Sequence, residues 1–240
     1  MPTRRLFCLA ALLVSAASAV SAQSPNQAIR AFPLYDNSGF PDLVVDEGLL
    51  SKSLKIEKQT FPSTACEIQE GTIAVPGTRR LLRLTVAVMN RGNGDVVLGN
   101  PLDGPYSSWF YYDSCHQHNH LKNFTSYALF ELDGVTLVAR TTKPGFCMRD
   151  SVQYDGVTHT YDADGNVSSN GGYYTCNSQG ISVGWSDRYR YTLSGQWIDI
   201  TGVAAGTYIL RVTVNRPDGP ALAEGLNLYS NVTSVRVRLP

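Results

Sequence analysis

Apolar residues recur at every second position along much of this chain, and over no long stretch at helical spacing. RLLRLTVAVMNRG at 80–92 sets the pattern, with Leu82, Leu84, Val86 and Val88 on one face of a strand. The same period runs through DLVVD (42–46), SYALFEL (126–132), VTLVAR (135–140), QWIDITGV (196–203), TYILRVTVN (207–215) and TSVRVRL (233–239). LDG at 132–134 and VAAGTY at 203–208 read as hairpin turns. The pattern predicts an all-β chain: an antiparallel β-sandwich with long, disulfide-stapled loops and little helix. Residues 144–186 show no clear strand pattern, and loops of that length are usually functional or stapled.

The first 22 residues read as an export signal. Arg4 and Arg5 precede a mostly apolar run, Leu6 to Val20, and Val20-Ser21-Ala22 gives a small-x-small cleavage site. The run is too short and serine-rich for a membrane span. The expected organisation is a signal peptide (1–22), a lead-in (23–41) and one domain (42–240), secreted and free of the membrane once cleaved. Losing Arg4 and Arg5 takes the formal charge from 0 to −2, so no basic field draws the chain to nucleic acid. Cys8 leaves with the signal. Cys66, Cys115, Cys147 and Cys176 remain, enough for two disulfides in any of three pairings.

Three of the chain's 4 histidines fall within DSCHQHNH at 113–120. On a strand His116, His118 and His120 point one way, while Cys115, Gln117 and Asn119 point the other. Neutral imidazoles suit copper, zinc or nickel. Three of them leave a coordination position open, which is the catalytic pattern. A surface strand with hydrogen-bonded histidines is the plain alternative; alternation in a histidine-poor chain favours the metal.

CHQHNH, preceded by the aromatics Trp109 to Tyr112, resembles the copper-binding signature of lysyl oxidases. RRLLRL (79–84), KPGFCMRD (143–150), GISVGWSDRYRYTLSGQWIDITGV (180–203), GTYILRVTVN (206–215) and AEGLNLYSN (223–231) resemble further segments of that family in order. The resemblance covers Asp42 to the end, and the chain is identified with a minimal single-domain version of the family.

The resemblance implies a secreted copper-dependent amine oxidase carrying lysine tyrosylquinone, a cofactor built from its own side chains. It makes His116, His118 and His120 the copper ligands and Lys143 and Tyr189 the cross-linked pair. It matches Asp187 to an aspartate of the motif, as proton-abstracting base or orienting group. It pairs Cys147 with Cys176 and leaves Cys66 for Cys115. The implied reaction takes a primary amine, in the family typically a peptidyl lysine, and molecular oxygen. It yields an aldehyde, ammonia and hydrogen peroxide. The implied partners are lysine side chains of extracellular proteins.

Read without the resemblance, Lys143 is a loop lysine before Pro144 and Tyr189 one more tyrosine of a β-protein. The sequence also departs from the family. LKNF follows His120, with Lys122 and Asn123 where an acid usually comes soon after the last histidine, so an acid that would attract amines is missing there. Gln153, Trp185 and Gly195 stand where the resemblance places cysteines. These departures motivate the alternative: a secreted copper- or zinc-binding β-sandwich protein without turnover. A β-sandwich adhesion module with incidental histidines is the third reading.

Overall fold

The computed structural model describes residues 39–141, 145–154, 173–220, 222–225 and 230–240, all within the unit Tyr35–Pro240. The expected export signal, Lys143 and part of the expected lead-in lie outside the described residues.

The chain enters through strand β1 (Leu43–Val45) and a short helix α1 (Glu47–Lys52). Asp46 caps α1 by accepting the Leu49 N–H at 2.9 Å, Glu47 and Lys52 sit at the ends that suit their charges, and Leu50 is buried. Six residues are too few to show helical periodicity in sequence. Strand β2 (Lys55–Phe61) leads to a single helical turn, α2 (Cys66–Gln69), then to β3 (Gly77–Arg83) and β4 (Val86–Asn90).

The apolar run at 80–92 therefore serves two sheets. β3 lies between β2 and β14 (Trp197–Asp199), whereas β4 lies between β1 and β13 (Trp185–Tyr189). Leu82, Leu84, Val86 and Val88 all enter the main core, as the alternation predicts. Leu81 is buried on the opposite face, in a second cluster with Phe61, Ile73 and Trp197.

After β5 (Val96–Gly99) come β6 (Phe110–Asp113), β7 (His118–Lys122), β8 (Ser126–Phe130) and β9 (Leu137–Thr141). β8 and β9 form the hairpin read from LDG; Gly134 takes φ 69°, and Asp133 accepts the N–H groups of Val135 and Thr136. The unpatterned region holds only short pieces: β10 (Gly145–Phe146), β11 (Val152–Gln153) and β12 (Gln179–Ile181) ahead of β13.

β15 (Gly206–Thr213) and β16 (Val232–Leu239) complete a sheet of order β16-β15-β8-β9. VAAGTY is not a hairpin turn. β14 pairs with β3 and β15 with β16 and β8, so those residues carry the chain between sheets.

Among the described residues every named strand pairing is antiparallel. The main core is shared by the β1-β4-β13-β11 sheet and the β16-β15-β8-β9 sheet, giving an all-β sandwich. The disulfides join Cys66 to Cys115 and Cys147 to Cys176, with Cα–Cα distances of 5.8 and 5.2 Å.

Candidate metal centre and its cavity

The histidines sit on the β6–β7 hairpin, in the register Tyr111↔His120 and Asp113↔His118. Only His118 and His120 lie on the strand. His116 lies in the connecting turn, which corrects the single-strand expectation. Asp113 builds this turn: Oδ1 accepts the N–H groups of Cys115 at 2.8 Å and His116 at 3.1 Å, and its carbonyl accepts that of Gln117. Gln117 takes φ 56°, a left-handed conformation that costs a non-glycine residue about 1–2 kcal/mol. The turn folds the His116 ring back over the strand, with ring centroids 5.3 Å from His120 and 6.0 Å from His118.

Hydrogen bonding fixes which nitrogens face inward. His118 Nδ1 lies 2.8 Å from the His116 carbonyl, which can only accept. His120 Nδ1 lies 3.3 Å from Asp113 Oδ2 and 3.2 Å from the Tyr111 hydroxyl. Each Nδ1 therefore carries its ring's proton, and each Nε2 presents a lone pair. These two Nε2 atoms are 2.9 Å apart. Two bare lone pairs at that distance repel unless a cation joins them. Nitrogens bound at right angles to one ion at about 2.0–2.1 Å sit roughly 2.8–3.0 Å apart, so the pair matches the tetragonal coordination of copper(II), while tetrahedral zinc would hold them about 3.3–3.4 Å apart.

A cavity of ≈ 360 Å³ opens beside them, lined by all three histidines, Tyr189, Glu70 and Gly145, among others. Tyr189 comes from β13, its hydroxyl donating to the Cys147 carbonyl and its ring 5.0 Å from that of Phe146. Burial, then the charge of Asp187, holds its phenol well above the ordinary value, so the ring is a neutral phenol at physiological pH. Asp187 is 1% exposed and accepts from Ser151 Oγ at 3.0 Å. It does not line the cavity. β10 pairs with β7, Gly145 opposite Lys122 and Phe146 opposite Leu121, so the segment after Lys143 is laced to the histidine strand.

The family model for lysyl oxidase matches residues 41–233. The chain belongs to the lysyl oxidase family. Lysyl oxidase homolog 3A of Danio rerio is 36% identical over 183 residues, covering 72% of this chain and 23% of that protein. Lysyl oxidase homolog 2 of Homo sapiens is 31% identical over 187 residues, covering 73% and 22%. That of Xenopus laevis is 34% identical over 184 residues, with the same coverage. The chain thus spans less than a quarter of the length of these curated relatives.

In this lysyl oxidase family member the sequence departures have structural places. Gln153 and Trp185, where cysteines were expected by resemblance, stand directly opposite each other on β11 and β13. Lys122 points its amine to the Ser108 carbonyl at 2.9 Å and does not line the cavity. Among the described residues Glu70 is the only carboxylate on the cavity wall. Burial raises its carboxyl above the ordinary value, while neighbouring His116 pulls it back. Sequence reading missed Glu70, which lies in no motif. It also passed over Asp113 and Tyr111, although both adjoin the histidines.

Proposed function

We propose that this chain is a copper-dependent amine oxidase that converts primary amines, with lysine side chains of extracellular proteins as the foremost class, to aldehydes. One amine, one oxygen and one water molecule give one aldehyde, one ammonia and one hydrogen peroxide. The observation that carries this reading is that His116, His118, His120 and Tyr189 line one cavity.

Copper, with a lysine tyrosylquinone formed from Tyr189 and Lys143, would supply the two-electron oxidation. The protein's part is placement. His116, His118 and His120 hold the ion, and Asp113 and Tyr111 orient the His120 ring from behind. Phe146 and the Cys147 carbonyl fix the plane of the Tyr189 ring. Asp187, buried behind Tyr189, acts through that residue's charge environment. Lys143 is joined through Pro144 to Gly145, a cavity-lining residue, which supports it as the cross-link partner.

The same reading makes residues 1–22 an export signal and the mature chain extracellular. Two disulfides suit an oxidising compartment. Among the described residues no helix is long and apolar enough to cross a membrane.

The test is to express the protein aerobically with copper and search its digest by mass spectrometry for a covalent link between the Lys143 and Tyr189 peptides. A link, with peroxide released from alkylamines or peptidyl lysine, establishes the reading. Both peptides intact in copper-replete protein would leave a metal-binding β-sandwich without turnover.

A further inference from the structure

Glu70 reaches the cavity from outside every motif. It is the residue that ends α2, and its N–H donates to the Cys66 carbonyl at 2.8 Å. The Cys66–Cys115 bridge fastens that turn of helix to the residue just before His116. The two segments are thereby held in register, and Glu70 Oε1 lies 3.1 Å from His116 Nε2.

Three observations define what Glu70 does there. Its side chain is 11% exposed, and Oε1 is shielded from solvent with no aligned hydrogen bond among the described residues. A shielded carboxylate oxygen without a donor is costly unless a cation faces it. Second, donor atoms of Glu70, Asp113 and His116 all lie within 4.8 Å of one another, so Glu70 meets the histidine cluster through His116, not through His118 or His120. Asp113 already has both oxygens engaged, Oδ1 by the turn and Oδ2 by the His120 ring. Glu70 is therefore the carboxylate of that group still facing the cavity. Third, 3.1 Å is the separation of two donors bound at right angles to one ion at about 2.2 Å, as in the tetragonal coordination of copper(II).

We propose that Glu70 is a fourth protein side chain at the metal centre, making the donor set three imidazoles and one carboxylate. The inference rests on the histidines holding a metal, as in the proposed function, and extends it. An anionic oxygen donor cancels one charge of a divalent ion and favours harder, oxidised copper(II) over copper(I). It also narrows the part of the coordination sphere left open to oxygen or substrate.

The test compares wild type with Glu70→Gln and Glu70→Ala, each loaded with copper(II) or zinc. The readouts are affinity by chelator competition, the copper(II) paramagnetic resonance spectrum, and zinc-induced infrared difference spectra of protein carrying carboxyl-labelled glutamate. The expected result is a labelled carboxylate band that shifts on zinc binding in wild type and is lost in Glu70→Gln. A changed copper hyperfine splitting and affinity about tenfold or more weaker in both variants accompany it. Copper spectra that superimpose on wild type, or a wild-type glutamate band that zinc does not move, overturn the proposal. The second of these needs no variant to fold. A wild type that binds neither ion overturns it together with the metal reading. A wild type that shows the glutamate shift yet makes no peroxide sustains Glu70 as a ligand and sinks only the oxidase reading.

Discussion

Gly145 packs edge-on against Leu121. A β-carbon added to it would fall 2.6 Å from the Leu121 carbonyl oxygen and 2.7 Å from the His120 β-carbon. Both neighbours belong to the histidine hairpin, so the strand pair β10–β7 closes only with glycine here. Gly145→Ala should push the two strands apart. The expected cost is about 1–3 kcal/mol of stability with weakened zinc or copper binding, read by denaturant titration and chelator competition. Unchanged metal affinity would show that the hairpin holds its rings without β10.

Tyr189→Phe removes only the hydroxyl, whose acceptor is the Cys147 carbonyl. The fold should lose about 1 kcal/mol. The proposed chemistry predicts no cross-linked peptide and no peroxide, with copper stoichiometry intact. Residual turnover at more than trace level would exclude Tyr189 as the cofactor precursor.

Asp113→Ala deletes the acceptor for two turn amides and the partner of the His120 ring at once. Metal affinity should fall about 10–100-fold. Asp113→Asn can keep the turn but offers His120 no charge, so it should fall between wild type and the alanine variant in the same titration.

The Cys147–Cys176 bridge spans 29 positions and ties the cavity wall to the segment before β12. Replacing both cysteines with serine should cost about 3–4 kcal/mol on the loop-entropy estimate. A matching drop in the denaturation midpoint is the check. No drop would mean that the hydrogen bonds already staple this region, those of Asp150 to Ser182, Tyr173 and Tyr174 and those of Met148 to Gln179 and Gly180.

Stability should also respond to pH in a defined direction. Burial raises the carboxyls of Asp95, Asp150 and Glu224 above their ordinary values. Between the unfolded value, near 3.8 for aspartate, and the higher folded value, the native state binds more protons than the unfolded one. These groups therefore make stability decline as pH rises through that interval and level off above it. Asp95→Asn, which retains an acceptor for the Val183 N–H, should flatten part of the decline in midpoint-versus-pH curves.

What the sequence disclosed follows from where each signal arises. β16 was legible almost to the residue because TSVRVRL alternates cleanly, one face in the core and one outside. The run at 80–92 hid its break because Leu82, Leu84, Val86 and Val88 keep one apolar face unbroken across it, and the polar residues at the join, Arg83 and Thr85, fall on the alternate positions where a single strand would carry them too. α1 and α2 are too short to show a period. The histidines were found from a spacing of two, although His116 is not on the strand: a turn through a left-handed Gln117 brings its ring to the same cavity wall, 5.3 Å from that of His120. Glu70 had no local signature, since 46 residues and a disulfide separate it from the histidine it faces.

That disulfide also sets an order of events. The β6–β7 hairpin and the β2–β3 hairpin each close locally and can form in microseconds. The bond between Cys66 and Cys115 takes seconds to hours and needs an oxidant. The half of the cavity carried by α2 is thus locked to the histidine hairpin last, and only where thiols are oxidised. A chain whose Cys66 and Cys115 stay reduced keeps the two halves untethered, so oxidation of that one pair is the step that closes the site.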